Sequence, residues 1–117
     1  MKAIIEVGAR GAAVQAARQQ LASAQRGGAV DYRLAFESAR TLFSELTPAR
    51  LDLLDTLRRT GASSVYALAK AAERNYSNVH TDVAGLERLG LIERDDADNV
   101  LVPFDAVEIR LALARAA

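Results

Sequence analysis

The sequence predicts an α+β fold in which three short helices lead into a β-hairpin, with further strands towards both ends of the chain. Three observations support this prediction. Apolar residues recur at helical spacing between residues 47 and 89, the pattern changes to short extended runs after Gly90, and apolar and polar residues alternate within 30–36 and 107–113. The first two observations place the helices and the hairpin next to each other in one segment.

The three helices are recognised by the residues that begin and end them. Thr47 is a good N-cap, and Pro48 loses nothing at the first helical position, where a backbone N–H would have no partner. Gly61 ends this helix, Ser64 caps the second and Asn75 caps the third. The residues expected to face the core are Leu51, Leu54 and Leu57 in the first helix, Val65, Leu68, Ala69 and Ala72 in the second, and Val79, Val83, Leu86 and Leu89 in the third.

Gly90 is expected to take a left-handed turn at the end of the third helix. Residues 91–94 then form a short extended run, 95–99 a polar turn, and 100–102 a second extended run that ends at Pro103. This pattern is typical of a β-hairpin. Three helices followed by a hairpin predict a winged helix-turn-helix whose third helix is the recognition helix.

The ends of the chain are expected to add a small sheet. Residues 2–7 favour a strand, 12–25 an amphipathic helix, 30–36 a half-buried strand and 107–113 a C-terminal strand. Ser38 is expected to cap a helix that contains Leu42, Phe43 and Leu46. The predicted organisation is therefore a dimerisation or partner segment over 1–46, a winged helix-turn-helix over 47–103, and a C-terminal strand over 104–117 that packs with the first segment. Because exposed sheet edges attract further strands, we expect the dimer interface in this sheet.

Composition limits the classes of function. The chain has 117 residues, half of them hydrophobic, which suits one domain with one core, and no apolar run approaches the length of a membrane span. These features favour a cytoplasmic protein. With no cysteine and a single histidine, the sequence offers no thiolate or multi-histidine metal site, and no catalytic or cofactor-binding motif is present. We therefore expect a protein without enzymatic activity, cofactor or metal.

The charge balance bears on nucleic-acid binding. The chain carries 15 basic and 15 acidic residues, whereas DNA-binding domains usually show a basic excess. Affinity for DNA grows with the number of phosphates that cations neutralise, so one copy is expected to bind weakly. Two copies on adjacent half-sites of an inverted repeat would supply the missing contacts, and we therefore expect a homodimer on double-stranded DNA.

The third helix presents small polar side chains on the face opposite its apolar stripe. Ser77, Asn78, His80 and Thr81 are expected to meet phosphates and base edges, and Arg88 to hold the DNA backbone further along. His80 fits a neutral hydrogen-bonding role better than a charged phosphate contact.

Four further residues keep two interpretations each. Tyr76 either contacts a sugar or phosphate or is buried between helices. Arg74 and the pair Arg58 and Arg59 either flank the DNA backbone or offset helix dipoles.

The segment Leu86-Glu87-Arg88-Leu89-Gly90-Leu91-Ile92 resembles the corresponding part of MarR-like regulators. The chain as a whole is similar to small prokaryotic MarR-like DNA-binding proteins in Phe36-Glu37-Ser38, Leu46-Thr47-Pro48, residues 78–83 and residues 102–105. The resemblance implies an antitoxin of a toxin–antitoxin pair, which represses its own operon and neutralises a toxin. The wing tip departs from the family, since Asp95, Asp96 and Asp98 replace the basic residue that commonly reaches a minor groove.

Two other functions remain open at this stage. The same fold serves some proteins only as a protein–protein interaction module, and a stand-alone MarR-like repressor that senses a ligand would need an apolar pocket. The acidic turn at 95–99 superficially resembles a calcium loop. It lacks the glycine and the distal glutamate of that motif, and a solvated turn is expected instead.

Overall fold

The computed structural model describes residues 1–8 and 30–113, and within these ranges the α+β class is confirmed. The helix predicted over 12–25 lies outside the described residues. Four helices are described: α1 (Ala39–Glu45), α2 (Pro48–Thr60), α3 (Val65–Ala72) and α4 (Tyr76–Arg88). The five strands are β1 (Ala3–Val7), β2 (Tyr32–Phe36), β3 (Glu93–Arg94), β4 (Val100–Leu101) and β5 (Val107–Leu111).

The chain divides into two compact units. One is formed by residues 45–103, and the other by residues 1–44 together with 104–117. The two ends belong to one unit because β5 pairs with β1, so the C-terminal segment is part of the same sheet as the N-terminal one.

The unit of residues 45–103 is built by the caps that the sequence predicts. The Thr47 hydroxyl accepts from the Arg50 amide, the Ser64 hydroxyl accepts from the Ala67 amide, and Gly61 ends α2 with a φ of 82°. Gly90 takes the left-handed conformation expected after α4, with a φ of 78°. The caps of all three helices, and the turn that follows them, are confirmed.

The core of this unit is apolar and is shared by the helices and the short sheet. Leu53, which the sequence pattern missed, is buried, while Leu51 is only half-buried; the buried stripe of α2 is shifted from the expected one. Val65, Ala72 and Leu89, which were also predicted to face the core, are likewise half-buried. Each fully buried aliphatic side chain contributes about 1.5–3 kcal/mol. The fully buried side chains of this unit are Leu46, Leu53, Leu57, Leu68, Val79, Val83, Leu86, Leu91 and Val100.

Strands β3 and β4 pair antiparallel behind α4, with Glu93 opposite Leu101 and Arg94 opposite Val100. Strand β3 is shorter than the predicted run of 91–94, because Leu91 and Ile92 are buried in the turn that leaves α4. An isolated antiparallel bridge joins Val100 to Ser63, just before α3. The bridge ties the hairpin to the start of α3.

The second unit contains a three-stranded parallel sheet in the order β2-β1-β5. Ile4 and Ile5 of the central strand point to opposite faces and both are buried, as is usual for a parallel sheet covered on two sides. Tyr32 of β2 stacks on Phe104 with ring centroids 5.7 Å apart, and burial raises the pKa of the Tyr32 hydroxyl. Leu42 of α1 is buried too, but α1 ends at Glu45 and so excludes Leu46, which was predicted within it.

Candidate nucleic-acid interface

Helix α4 has one face buried in the core and one face exposed. Val79, Val83 and Leu86 are at most 1% exposed and hold the helix in place. At its start, the Asn75 side-chain oxygen accepts from the amides of Ser77 (2.8 Å) and Asn78 (3.3 Å), which fixes the first turn. The orientation of the helix is therefore set by its buried stripe and by its cap.

The exposed face of α4 carries most of the predicted contact residues. Ser77, Asn78, His80, Thr81 and Arg88 are all exposed. The Thr81 hydroxyl donates to the Ser77 carbonyl (3.1 Å), which leaves its lone pairs turned to solvent, and Arg88 makes no ion pair with any residue that the structure describes. The face offers hydroxyl, amide and imidazole groups and one free guanidinium.

An ion network borders the exposed face of α4, on the side where α4 meets α2. The Asp82 carboxylate accepts from Arg50 Nε (3.0 Å) and from Arg74 Nη2 (2.7 Å), and Arg50 Nη1 also donates to the Glu45 carbonyl (2.9 Å). Burial by itself would raise the pKa of the Asp82 carboxyl, but the hydrogen bonds from Arg74 and Arg50 outweigh it and lower that pKa below its ordinary value. The network connects α2 and the turn before α4 to α4 itself.

Arg74 differs from the other predicted contact residues because it belongs to this network. Its side chain is 29% exposed and one nitrogen is bound to Asp82, while Nη1 is buried without a hydrogen-bond partner among the described residues. The geometry assigns Arg74 to positioning α4. Arg58 and Arg59 are also engaged, through the Val102 carbonyl (3.2 Å) and the Asp55 carboxylate (3.2 Å) respectively.

A strip of aromatic side chains continues the exposed face onto α3. Tyr66 and Tyr76 are 62% and 49% exposed, with ring centroids 6.4 Å apart, and the His80 ring lies 5.9 Å beyond Tyr76. The Lys70 ammonium lies 5.7 Å from the centre of the Tyr66 ring. Tyr76 is therefore not buried between helices, as one interpretation of the sequence had it.

Tyr66 and Lys70 were missed by sequence reasoning, which considered only the inward side of α3. A signal was available, since Tyr66 and Lys70, like Tyr76 and His80, are four residues apart and must share one side of a helix. What the sequence does not give is the packing of α3 on α4 that joins the two pairs into one strip.

The hairpin turn is organised by its own acidic residues. One Asp95 carboxylate oxygen accepts from the amides of Ala97 (2.9 Å) and Asn99 (3.0 Å), and Asp98 takes a φ of 63°. Arg94 is held by Glu87 (2.8 Å) and Asp98 (3.3 Å), and the Glu87 hydrogen bond raises its pKa.

Within residues 1–8 and 30–113 no cluster of acidic, histidine or cysteine side chains is suited to hold a metal ion.

A family model described as HVO_A0114 matches residues 45–109, which is more than half of the chain and contains the whole of the unit of residues 45–103. No curated protein and no solved structure matches the chain. In the part of the chain that the structure describes, no helix is both long and apolar enough to cross a lipid bilayer.

Proposed function

The chain belongs to the HVO_A0114 family, and we propose that it is a DNA-binding transcriptional regulator in which residues 47–103 act as a winged helix-turn-helix. Helix α4 is the recognition helix and the β3–β4 hairpin is the wing. The protein binds an inverted repeat in its own promoter as a homodimer, with one α4 helix to each half-site.

The observation that carries this proposal is the two-sided character of α4. Its apolar side is buried to within 1% exposure, while Ser77, Asn78, Thr81 and Arg88 on the other side are exposed. The helix has 13 residues and a length of about 20 Å at 1.5 Å per residue. A helix of this length fits along a major groove, which is about 12 Å wide.

The side chains on this face match the chemistry of base edges. An asparagine amide pairs with the N6 and N7 atoms of adenine, serine and threonine hydroxyls donate or accept at any base, and an arginine such as Arg88 binds guanine or a phosphate. Lys70 and the Tyr66 hydroxyl, on the preceding helix, are suited to phosphate oxygens. The aromatic strip adds apolar surface for deoxyribose rings.

Sequence is read by α4 alone in this proposal. The wing presents Asp95, Asp96 and Asp98 at its tip, and its Arg94 is engaged by Glu87 and Asp98. Carboxylates at the tip are repelled by phosphates, so the wing stays outside the minor groove. Because one copy carries as many acidic as basic residues, the phosphate contribution to its affinity is small, and two copies are required for specific binding.

The experiment is a mobility-shift titration of the promoter fragment upstream of the gene. Thr81→Glu places a carboxylate on the proposed face and removes the side-chain bond to the carbonyl four residues earlier. Thr56→Glu is the matched control, because Thr56 makes the same type of bond, to the Asp52 carbonyl at 3.1 Å, on a different helix, α2. We expect Thr81→Glu to weaken binding at least about tenfold and Thr56→Glu to leave it unchanged.

Equal binding by wild type and Thr81→Glu would contradict the proposal and favour a protein–protein interaction module.

The antitoxin role rests on the resemblance to MarR-like proteins. It is tested separately by expressing the neighbouring open reading frame with and without this chain. If the neighbour stops growth alone and this chain restores growth, the antitoxin role is supported; if the neighbour does not affect growth when expressed alone, the antitoxin role is excluded. A ligand-sensing repressor would instead release the promoter fragment when a small molecule is added.

A further inference from the structure

Strand β5 forms one edge of the three-stranded sheet and has no strand on its outer side among the described residues. Its exposure increases along the strand, since Val107 is half-buried whereas Ile109 and Leu111 are 40% and 56% exposed. An exposed edge with apolar side chains is a template for a further strand unless something covers it.

The backbone groups that point away from the sheet can be identified. In a parallel pair, a residue on one strand bonds to the residues on either side of its partner. Ala3 is opposite Val107, and the Ala3 amide donates to the Ala106 carbonyl (3.0 Å). The backbone groups of 106, 108 and 110 therefore face β1, and those of Val107, Ile109 and Leu111 face outward.

We propose that β5 is the homodimer interface, and that the β5 strands of two copies pair antiparallel about a two-fold axis at Ile109. The Ile109 N–H of each copy donates to the Ile109 carbonyl of the other, which joins the two three-stranded sheets into one continuous sheet. This inference deepens the proposed function, of which the homodimer is a part.

The charges of Glu108 and Arg110 determine the register in which the two β5 strands pair. With the axis at Ile109, Glu108 of one copy lies opposite Arg110 of the other, and symmetry makes this pair twice. An axis at Glu108 or at Arg110 would place like charges directly opposite each other. An axis at Val107 or Leu111 would leave fewer residues of β5 paired. The sequence Val107-Glu-Ile-Arg-Leu111 is thus complementary to itself in one register.

The charges that this register uses are accessible. The side chains of Glu108 and Arg110 are 37% and 53% exposed. Within one copy, Glu108 Oε1 accepts from Lys2 Nζ (2.8 Å) and Oε2 accepts from Arg110 Nη2 (2.9 Å). Each carboxylate oxygen keeps a further lone pair, and these lone pairs and the remaining N–H groups of Arg110 extend the contacts across the axis. The result is a row of alternating charges along one face of the joined sheet.

The opposite edge of the sheet is less suited to self-pairing. All five residues of β2 are half-buried, and an axis at its centre, Leu34, would set Arg33 opposite Ala35 rather than opposite an acid. Self-complementarity is therefore a property of β5.

The test is a charge swap followed by sedimentation equilibrium without DNA. In Glu108→Arg and in Arg110→Glu, both symmetry-related pairs become repulsive, and we expect dimer dissociation constants raised at least about tenfold. The double variant Glu108→Arg/Arg110→Glu restores opposite charges and should return to the wild-type constant. An equimolar mixture of the two single variants should form heterodimers, since one strand is then all basic and the other all acidic.

A second variant tests the backbone bonds. Ile109→Pro removes an N–H that points away from β1, so the sheet within one copy keeps its bonds, and circular dichroism should be unchanged while the protein becomes monomeric. A monomeric wild type, failure of the double swap to restore the dimer, or a dimer that survives Ile109→Pro would each overturn the inference. If the variants change dimerisation as expected but the wild-type dimer does not bind the promoter fragment, the inference stands and the proposed function is contradicted.

Discussion

The Gly85→Ala substitution tests how closely α4 packs against Arg50 of α2. Alanine is favoured over glycine by about 1 kcal/mol inside a helix, so helix propensity alone predicts that the substitution stabilises the protein. A Cβ at residue 85, however, would lie 2.6 Å from Arg50 Nη1, 2.7 Å from its Cζ and 2.8 Å from its Nη2. The flat face of the guanidinium occupies the space, and it must move.

Displacement of Arg50 breaks its bonds to the Asp82 carboxylate (3.0 Å) and to the Glu45 carbonyl (2.9 Å). Hydrogen bonds to charged groups contribute about 1.5–3 kcal/mol each. Arg50 is 13% exposed and regains some hydration when displaced, which favours the lower end of this range. After the gain in helix propensity, we expect Gly85→Ala to lower the free energy of unfolding by about 2 kcal/mol.

The measurement is urea denaturation followed by circular dichroism, in two backgrounds. In an Arg50→Ala background the obstructing guanidinium is gone, and the same Gly85→Ala change should raise the free energy of unfolding by up to about 1 kcal/mol. The reversal of sign is the decisive result. Stabilisation by Gly85→Ala in the wild-type background, or the same effect in both, would refute the packing argument.

Two further predictions concern the cap and the ion network of α4. Asn75→Ala should cost about 1 kcal/mol in urea denaturation, because the amides of Ser77 and Asn78 lose their acceptor; no change would show that water replaces the cap. The pKa of Asp82 is lowered in the folded state, so the stabilisation it provides is complete above the unfolded value of about 3.9 and is lost as the pH falls below it. Asp82→Asn should therefore flatten the fall in stability below about pH 4, and an unchanged pH profile would exclude this role.

The elements of the 45–103 unit could be predicted because their signals are local. Thr47, Ser64 and Asn75 each act on an amide two or three residues away, and Gly90 is needed for a positive φ at one position. Because such contacts depend only on residues close together in the chain, they can be predicted from the sequence.

The rest depends on contacts between distant residues. Arg50 and Asp82 are 32 residues apart, and nothing in either neighbourhood indicates that they meet. The parallel order β2-β1-β5 likewise joins strands from both ends of the chain, whereas alternation reveals only that each strand exists. The part of the candidate site that lies on α4 could be predicted, because its residues share one helix. The aromatic strip that continues onto α3 was missed, because it arises from the packing of two helices.

The central proposal, that the exposed face of α4 meets DNA, is tested most directly by site-specific photocrosslinking. The chain has no cysteine, so a single thiol introduced on a chosen face carries the only attached crosslinker. Ser77→Cys places the probe on the exposed face of α4, and Thr56→Cys places it on α2. We predict crosslinks to the labelled promoter duplex from position 77 and none from position 56; equal crosslinking from both positions, or none from position 77, would contradict the account.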